Sequence, residues 1–247
     1  MPRVLRAFAD GTIFGDTYGD GQPRVLALHG WRRDRSDFRS VLSGLDALAV
    51  DLPGFGASPE PPEAWGGAEY ARALAPVLHE LALPAVVVGH SFGGRVAVHI
   101  AASHPEMVCG VVLAGVPLLR LAPSPTPSLS FRLAKALNRI GIVSNDQMEA
   151  RRRRAGSEDY RAATGVMRDV FVHAVHETYE DQLRAIEAPV ELVWGDEDTA
   201  APLAIAQRAA ELLAHPSLTV IPGAGHLTPL TAPDAIRSAI VRLQPAP

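Results

Sequence analysis

The chain has 247 residues, 47% of them hydrophobic and 20% charged, with 23 Lys and Arg against 27 Asp and Glu for a formal net charge of −4. That balance is an ordinary globular one and excludes the general basic field that nucleic acid or an anionic membrane surface would attract. A single cysteine, Cys109, excludes an internal disulfide, and no apolar run approaches the roughly 20 residues that span a bilayer. The opening "MPRVLRAFADG" has no apolar signal core, so the expectation is a cytoplasmic protein with no nucleic-acid or membrane partner.

The first two segments, 3–8 and 12–18, are joined by "ADG", whose Asp-Gly pair signals a hairpin and an antiparallel start to a sheet. Short apolar runs then recur: "RVLALHG" (24–30), "ALAVDLPG" (47–54), "AVVVGHS" (85–91), "GVVLAGV" (110–116), "VELVWGD" (190–196) and "LTVIPGAGH" (218–226). Their continuous hydrophobicity suits strands buried on both faces, as in a parallel sheet covered by helices. Helical patterns lie between them at 67–82, from Ser91 to 104, at 202–214 and at 233–243. Strand then helix, repeated, predicts an α/β fold with a mostly parallel central sheet and helices on both faces. Cys109, inside "MVCGVVLAG", reads as a small buried hydrophobe.

Residues 118–187 break the alternation. A proline-rich "APSPTPS" leads into helical spacing at Leu129, Leu133, Leu137 and Ile140, then at Tyr160, Met167 and Phe171. The expectation is a core of residues 1–117 and 188–247 with 118–187 inserted as a helical cap over the carboxyl edge of the sheet, where open α/β sheets bind ligands.

The chemistry concentrates in "GHSFGG". Strand must turn abruptly into helix there, and glycines at 89 and 93 remove the crowding a Cβ would add. The turn presents the Ser91 hydroxyl beside a helix N-terminus, whose free N–H groups favour developing negative charge. An ordinary strand-to-helix turn has the same local pattern, so the decision rests on partners elsewhere. A serine hydroxyl is a weak nucleophile until a base accepts its proton, and the base needs an orienting acid. His226 follows a late strand and a glycine turn in "IPGAGHLTP", and "WGDEDTAAP" offers Asp196, Glu197 and Asp198. All stand at carboxyl ends of predicted strands, in the chain order Ser, Asp, His.

From "LHGW" through "DLPGFGAS", "GHSFGGR" and "WGDEDTAAP" to "GAGH", the sequence resembles an α/β-hydrolase fold protein over nearly its whole length. The resemblance implies Ser91 as nucleophile, His226 as base and Asp198 as acid, the last through Gly195, Asp198 and Pro202 in a G-x-x-D-x-x-x-P pattern. Some relatives carry the acid after the strand that follows the nucleophile, and "LAGVPLL" has no carboxylate there. The resemblance further implies an oxyanion hole from the backbone N–H groups of Phe92 and Trp31, the latter following "HG". His29 is expected to hold its loop, His90 to pack beside the elbow, and Asp51, Gly54 and Gly56 to form a turn.

Other residues are weaker candidates. His173 and His176 share a helix face without a third ligand, and no H-E-x-x-H, paired C-x-x-C or G-x-G-x-x-G pattern suggests a metal or nucleotide cofactor. The arginine run 151–154 reads as solvated surface. Arg95, four residues beyond Ser91, either braces neighbouring loops or meets a substrate carboxylate. Met167 and Phe171 join Trp31 and Phe92 as expected substrate contacts. The expected activity is cofactor-independent hydrolysis of a small-molecule carboxylic ester through an acyl-enzyme. The alternative is carbon-carbon bond cleavage or elimination on an anionic substrate with the same triad, and a third reading is a non-catalytic binding domain. Oligomeric state is not legible in the sequence.

Overall fold

The computed structural model describes residues 5–121 and 157–244, together with residues 138, 144 and 147. The proline run, the helical spacing expected over 129–140 (residue 138 excepted) and the arginines 151–154 lie outside the described residues.

Eight strands form one sheet: β1 (Leu5–Phe8), β2 (Ile13–Tyr18), β3 (Val25–Leu28), β4 (Ala47–Asp51), β5 (Ala85–His90), β6 (Val108–Ala114), β7 (Val190–Gly195) and β8 (Pro216–Ile221). Their spatial order is β1-β2-β4-β3-β5-β6-β7-β8. β1 and β2 pair antiparallel, as the Asp-Gly hairpin predicts, with Ala9, Asp10 and Gly11 all at positive φ in the turn. β2 also runs antiparallel to β4, and every later pairing is parallel.

The strand order reverses at β3. The chain leaves β3 toward β4 on one side, then crosses back to β5 on the other, so the loops after β3 and β5 diverge and leave a crevice at their carboxyl ends. Trp31 follows β3 and Ser91 follows β5, which sets both beside that crevice.

Alternation along the strands gives the sheet two apolar faces. Leu26, Leu28, Val87, Leu113 and Trp194 pack with Tyr70, Leu74, Val96 and Ile100 on one. Val25, Ala27, Val86, Val88 and Val193 pack with Phe38, Leu42, Ile236 and Ile240 on the other. The helices that supply these contacts are α1 (Arg39–Leu42), α2 (Gly67–Ala73), α3 (Ala75–Leu78) and α4 (Phe92–Ser103), and late in the chain α8 (Leu203–Ala210), α9 (Thr228–Thr231) and α10 (Pro233–Leu243). Between β6 and β7 the described residues form α5 (Glu158–Ala162), α6 (Gly165–His176) and α7 (Glu180–Ala185). These dock on α2 and α4 through the Gly67 N–H to the Glu177 carboxylate at 3.2 Å and the Arg95 guanidinium to the Ala174 carbonyl.

Three expectations are corrected. The helix expected over 67–82 is broken into α2 and α3, because Pro76 has no N–H to give the Arg72 carbonyl and its ring crowds that turn. β8 is not buried on both faces: as the last strand of the sheet it has none beyond it, and its residues are exposed or partly so. Cys109 is partly exposed rather than buried.

One buried charge cluster fixes the loop after β4. Asp51 is fully buried and accepts from the Arg35 N–H at 2.9 Å, the Ala57 N–H at 2.7 Å and the Arg35 guanidinium, which also pairs with Asp16 at 3.0 Å. Turn formation, not chemistry, is thus the work of "DLPGFGAS". Replacing Arg35 with Met leaves the Asp51 charge in the core with only its backbone donors. A loss of about 3 kcal/mol is expected, read as a lower urea midpoint with the slope unchanged, and an unchanged midpoint would contradict it.

Candidate active site

β5 delivers Ser91 to the carboxyl edge at φ 49°, ψ −112°, a conformation that costs a side-chain-bearing residue about 1–3 kcal/mol. The turn is held by the Ser91 N–H to the Ala114 carbonyl at 3.0 Å and the Gly93 N–H to the His29 carbonyl at 3.0 Å. A Cβ at Gly93 would run into the Leu28 carbonyl, and one at Gly89 into the Gly94 backbone. Both glycines are therefore demanded by close approach of backbone to backbone.

The Ser91 Oγ lies 3.0 Å from His226 Nε2, and His226 Nδ1 lies 2.8 Å from Asp198 Oδ2. An ionised Asp198 only accepts, so Nδ1 carries the proton and Nε2 is left to accept from the Ser91 hydroxyl. The Asp198 side chain is fully buried, and its other oxygen accepts the Ala200 N–H at 2.9 Å and the Ala201 N–H at 2.8 Å. Asp196, the neighbouring carboxylate, faces away and accepts the Gly223 N–H at 2.7 Å. Of the acids that "WGDEDTAAP" offers, Asp198 is the one that meets His226.

The amides of Trp31 and Phe92 donate to no protein acceptor among the described residues. Trp31 stands between Phe92, Phe55 and Phe171, at ring-centroid distances of 5.3, 5.0 and 5.1 Å. A cavity of about 520 Å³ opens over Ser91, its lining both aromatic, in Trp31, Phe92 and Phe171, and charged, in Arg95, Arg120 and Glu177 among others.

Arg95 stands where both of its expected roles are open to it. It braces α6 through the Ala174 carbonyl and sits over the Tyr179 ring at 5.9 Å, yet it also lines the cavity. It is 8% exposed and makes no ion pair with a carboxylate among the described residues. Burial pushes its pKa down, with Tyr179 and Glu177 acting against that. Met167 lies elsewhere: its thioether packs on Gly54 and lines a separate cleft of about 170 Å³ behind Trp31, where α6 turns that side chain away from Ser91. His173 and His176 are exposed.

No motif or spacing in the sequence pointed to Glu177 or Tyr179. The Tyr179 hydroxyl donates to Glu177 at 2.5 Å, and Glu177 holds the α2 N-terminus from 110 residues away, a pairing visible only in the docked fold. No group of three or more His, Cys, Asp or Glu among the described residues could hold a metal ion, and no helix among them is long and apolar enough to cross a membrane.

Fold and site together define an α/β hydrolase: residues 25–239 match the Alpha/beta hydrolase family, to which the chain belongs. It is 31% identical over 257 residues to a non-heme haloperoxidase of Rhodococcus erythropolis, covering 92% of this chain and 93% of that protein. It is 42% identical over 125 residues to an esterase of Mycobacterium tuberculosis, covering 47% of this chain and 40% of that one. A solved serine hydrolase involved in carbazole degradation shares the fold with a TM-score of 0.73 at 22% identity, covering 98% of each chain.

Two buried histidines brace the site as neutral rings. His29 Nδ1–H donates to the Gly30 carbonyl at 2.8 Å while Nε2 accepts the Leu52 N–H at 3.0 Å, and burial pushes its pKa down. Burial, with His226 nearby, pushes His90 down to about 4. In the unfolded chain both protonate near roughly pH 6.5, so the unfolded state binds more protons below that value and stability falls with falling pH. The urea midpoint should drop between about pH 7 and 5, above the range where most carboxylates titrate. A constant midpoint across that window would contradict neutral burial.

Proposed function

We propose that the protein is a cofactor-independent serine hydrolase acting on a small-molecule carboxylic ester through an acyl-enzyme. The observation that carries this reading is the hydrogen-bonded series from Ser91 Oγ through His226 to Asp198, opening on a cavity beside two unengaged amides. His226 Nε2 takes the Ser91 proton as Oγ attacks the ester carbonyl, and Asp198 stabilises the imidazolium that forms. The Trp31 and Phe92 amides receive the oxyanion, each such donor being worth roughly 10²- to 10³-fold in rate. His226 then gives its proton to the departing alkoxide, and water, deprotonated by the same nitrogen, releases the acid. Residues 118–187 serve as the cap of a core formed by 1–117 and 188–247, a division supported by the seating of Phe171 and Glu177 over the cavity. The M. tuberculosis esterase supports ester chemistry by its name alone.

Ser91→Ala should reduce hydrolysis of a chromogenic short-chain ester by at least about 10³-fold, since the oxyanion donors and binding alone remain. Parent-level activity in that variant would overturn the assignment.

A second reading, favoured by the buried guanidinium of Arg95, which pairs with no carboxylate among the described residues, gives the same triad an anionic substrate, through ester or carbon-carbon bond cleavage. Arg95→Met should then raise KM for carboxylate-bearing substrates at least about tenfold, roughly the 1.4 kcal/mol of one charge-assisted contact, while sparing neutral esters. Equal losses on both classes would restrict Arg95 to bracing α6.

A further inference from the structure

His90 is the last residue of β5 and is 1% exposed. Its Nε2 lies 2.9 Å from the backbone carbonyl of His226, and its ring centroid lies 5.0 Å from the His226 ring, the planes inclined by 47°. A carbonyl only accepts, so His90 carries its proton on Nε2, and its Nδ1 is a bare acceptor with no donor among the described residues. No backbone amide among the described residues donates to the His226 carbonyl. The loop that carries His226 contains Gly223 and Gly225, and a Cβ at either would meet nothing within 4 Å. Asp196 and the Glu197 N–H tie this loop to the one after β7, and the His90 ring supplies its hydrogen bond to β5.

We propose that His90 is a positioning residue for the base: by tethering the His226 carbonyl it sets the distance from His226 Nε2 to the Ser91 Oγ. The tether works because it is short in sequence on one side. His90 and Ser91 are adjacent, so the backbone that carries the nucleophile also carries the group that holds the base. His226 is then fixed at its backbone by His90, at Nδ1 by Asp198 and at Nε2 by Ser91. The donor must also be uncharged, since a cation 5.0 Å from the His226 ring would oppose the imidazolium formed during reaction. The charged and titratable groups facing His90 are His226, Asp198 and Asp37, and Asp37 is already held by Arg33 at 2.5 Å. The inference rests on the Ser91–His226 reading above.

The test compares His90→Leu, which removes the donor, with His90→Gln, which keeps an N–H. His90→Leu should lower kcat for the chromogenic ester about 10- to 100-fold, the scale of a small misplacement of a reacting group, with KM within about twofold. His90→Gln should recover most of the loss. The proton on His226 Nδ1, seen by NMR, should shift or broaden in the Leu variant and persist in the Gln variant. Parent kcat with an unchanged spectrum in His90→Leu would overturn the proposal, and so would an equal loss in both folded variants. Should His90→Leu not fold, the nitrogen spectrum of the intact protein decides: a neutral Nε2–H tautomer of His90 at pH 7 supports the tether, and an Nδ1–H tautomer or a charged ring refutes it. Activity surviving in Ser91→Ala sinks the triad itself, whereas an inactive Ser91→Ala beside a fully active His90→Leu sinks the tether alone.

Discussion

The fold is organised around one strained residue. Ser91 holds φ 49° only because its neighbours allow no other path: its N–H is bonded to Ala114 on β6, and two residues later Gly93 is bonded to His29 beyond β3. The turn is thus clamped between the two strands that flank β5. A shift in the β3–β5 register would carry the His29 carbonyl, and with it Trp31, away from Ser91. Parallel pairing of β3 and β5, fixed by Val25 against Val86 through Leu28 against Gly89, therefore sets the relation between Ser91 and the Trp31 and Phe92 amides.

Asp198 and His226 are joined by a comparable interlock. Asp196 holds the Gly223 N–H, and the Glu197 N–H donates to the Ala224 carbonyl at 3.0 Å, so the loops after β7 and β8 form one unit. Trp194, fully buried, donates from Nε1 to the Ala201 carbonyl at 2.7 Å, while the Ala201 N–H donates to Asp198. A buried carboxylate is costly unless its oxygens are occupied, and here two amides and the imidazole occupy them. The same bonds orient the carboxylate toward His226, so stabilisation of Asp198 and orientation of the His226 ring are a single arrangement.

How much of this was legible in the sequence follows from the range of each interaction. Ser91 and His226 stood out because each sits in a tight turn whose glycines are local, whereas Asp198 was singled out from Asp196 and Glu197 by the family resemblance; the fold brings the three side chains together. Pro76 was equally local, and its break in the 67–82 helix was there to be read from the missing N–H. Arg95 was undecidable, since its acceptor, the Ala174 carbonyl, lies 79 residues away on a helix whose docking no pattern encodes. Met167 was misplaced for the same reason: helical spacing gave its face on α6 but not the rotation of α6, which sends the thioether to Gly54. The partial exposure of β8 depends on which strand ends the sheet, and apolar composition alone does not tell an edge strand from a central one.

The lining of the cavity follows from the same docking. Trp31 and Phe92 rest on the sheet edge, after β3 and β5, and Phe171 meets Trp31 from α6. Arg95 is tied to the segment between β6 and β7 by the Ala174 carbonyl, and that segment is tied to α2 by Glu177, which accepts the Gly67 N–H and the Tyr179 hydroxyl. A substitution that loosens α6 therefore alters the lining of the cavity while leaving Ser91 in place. The sheet edge and the helices above it each supply part of that lining, and Arg95, rooted in α4 but bonded to α6, joins the two.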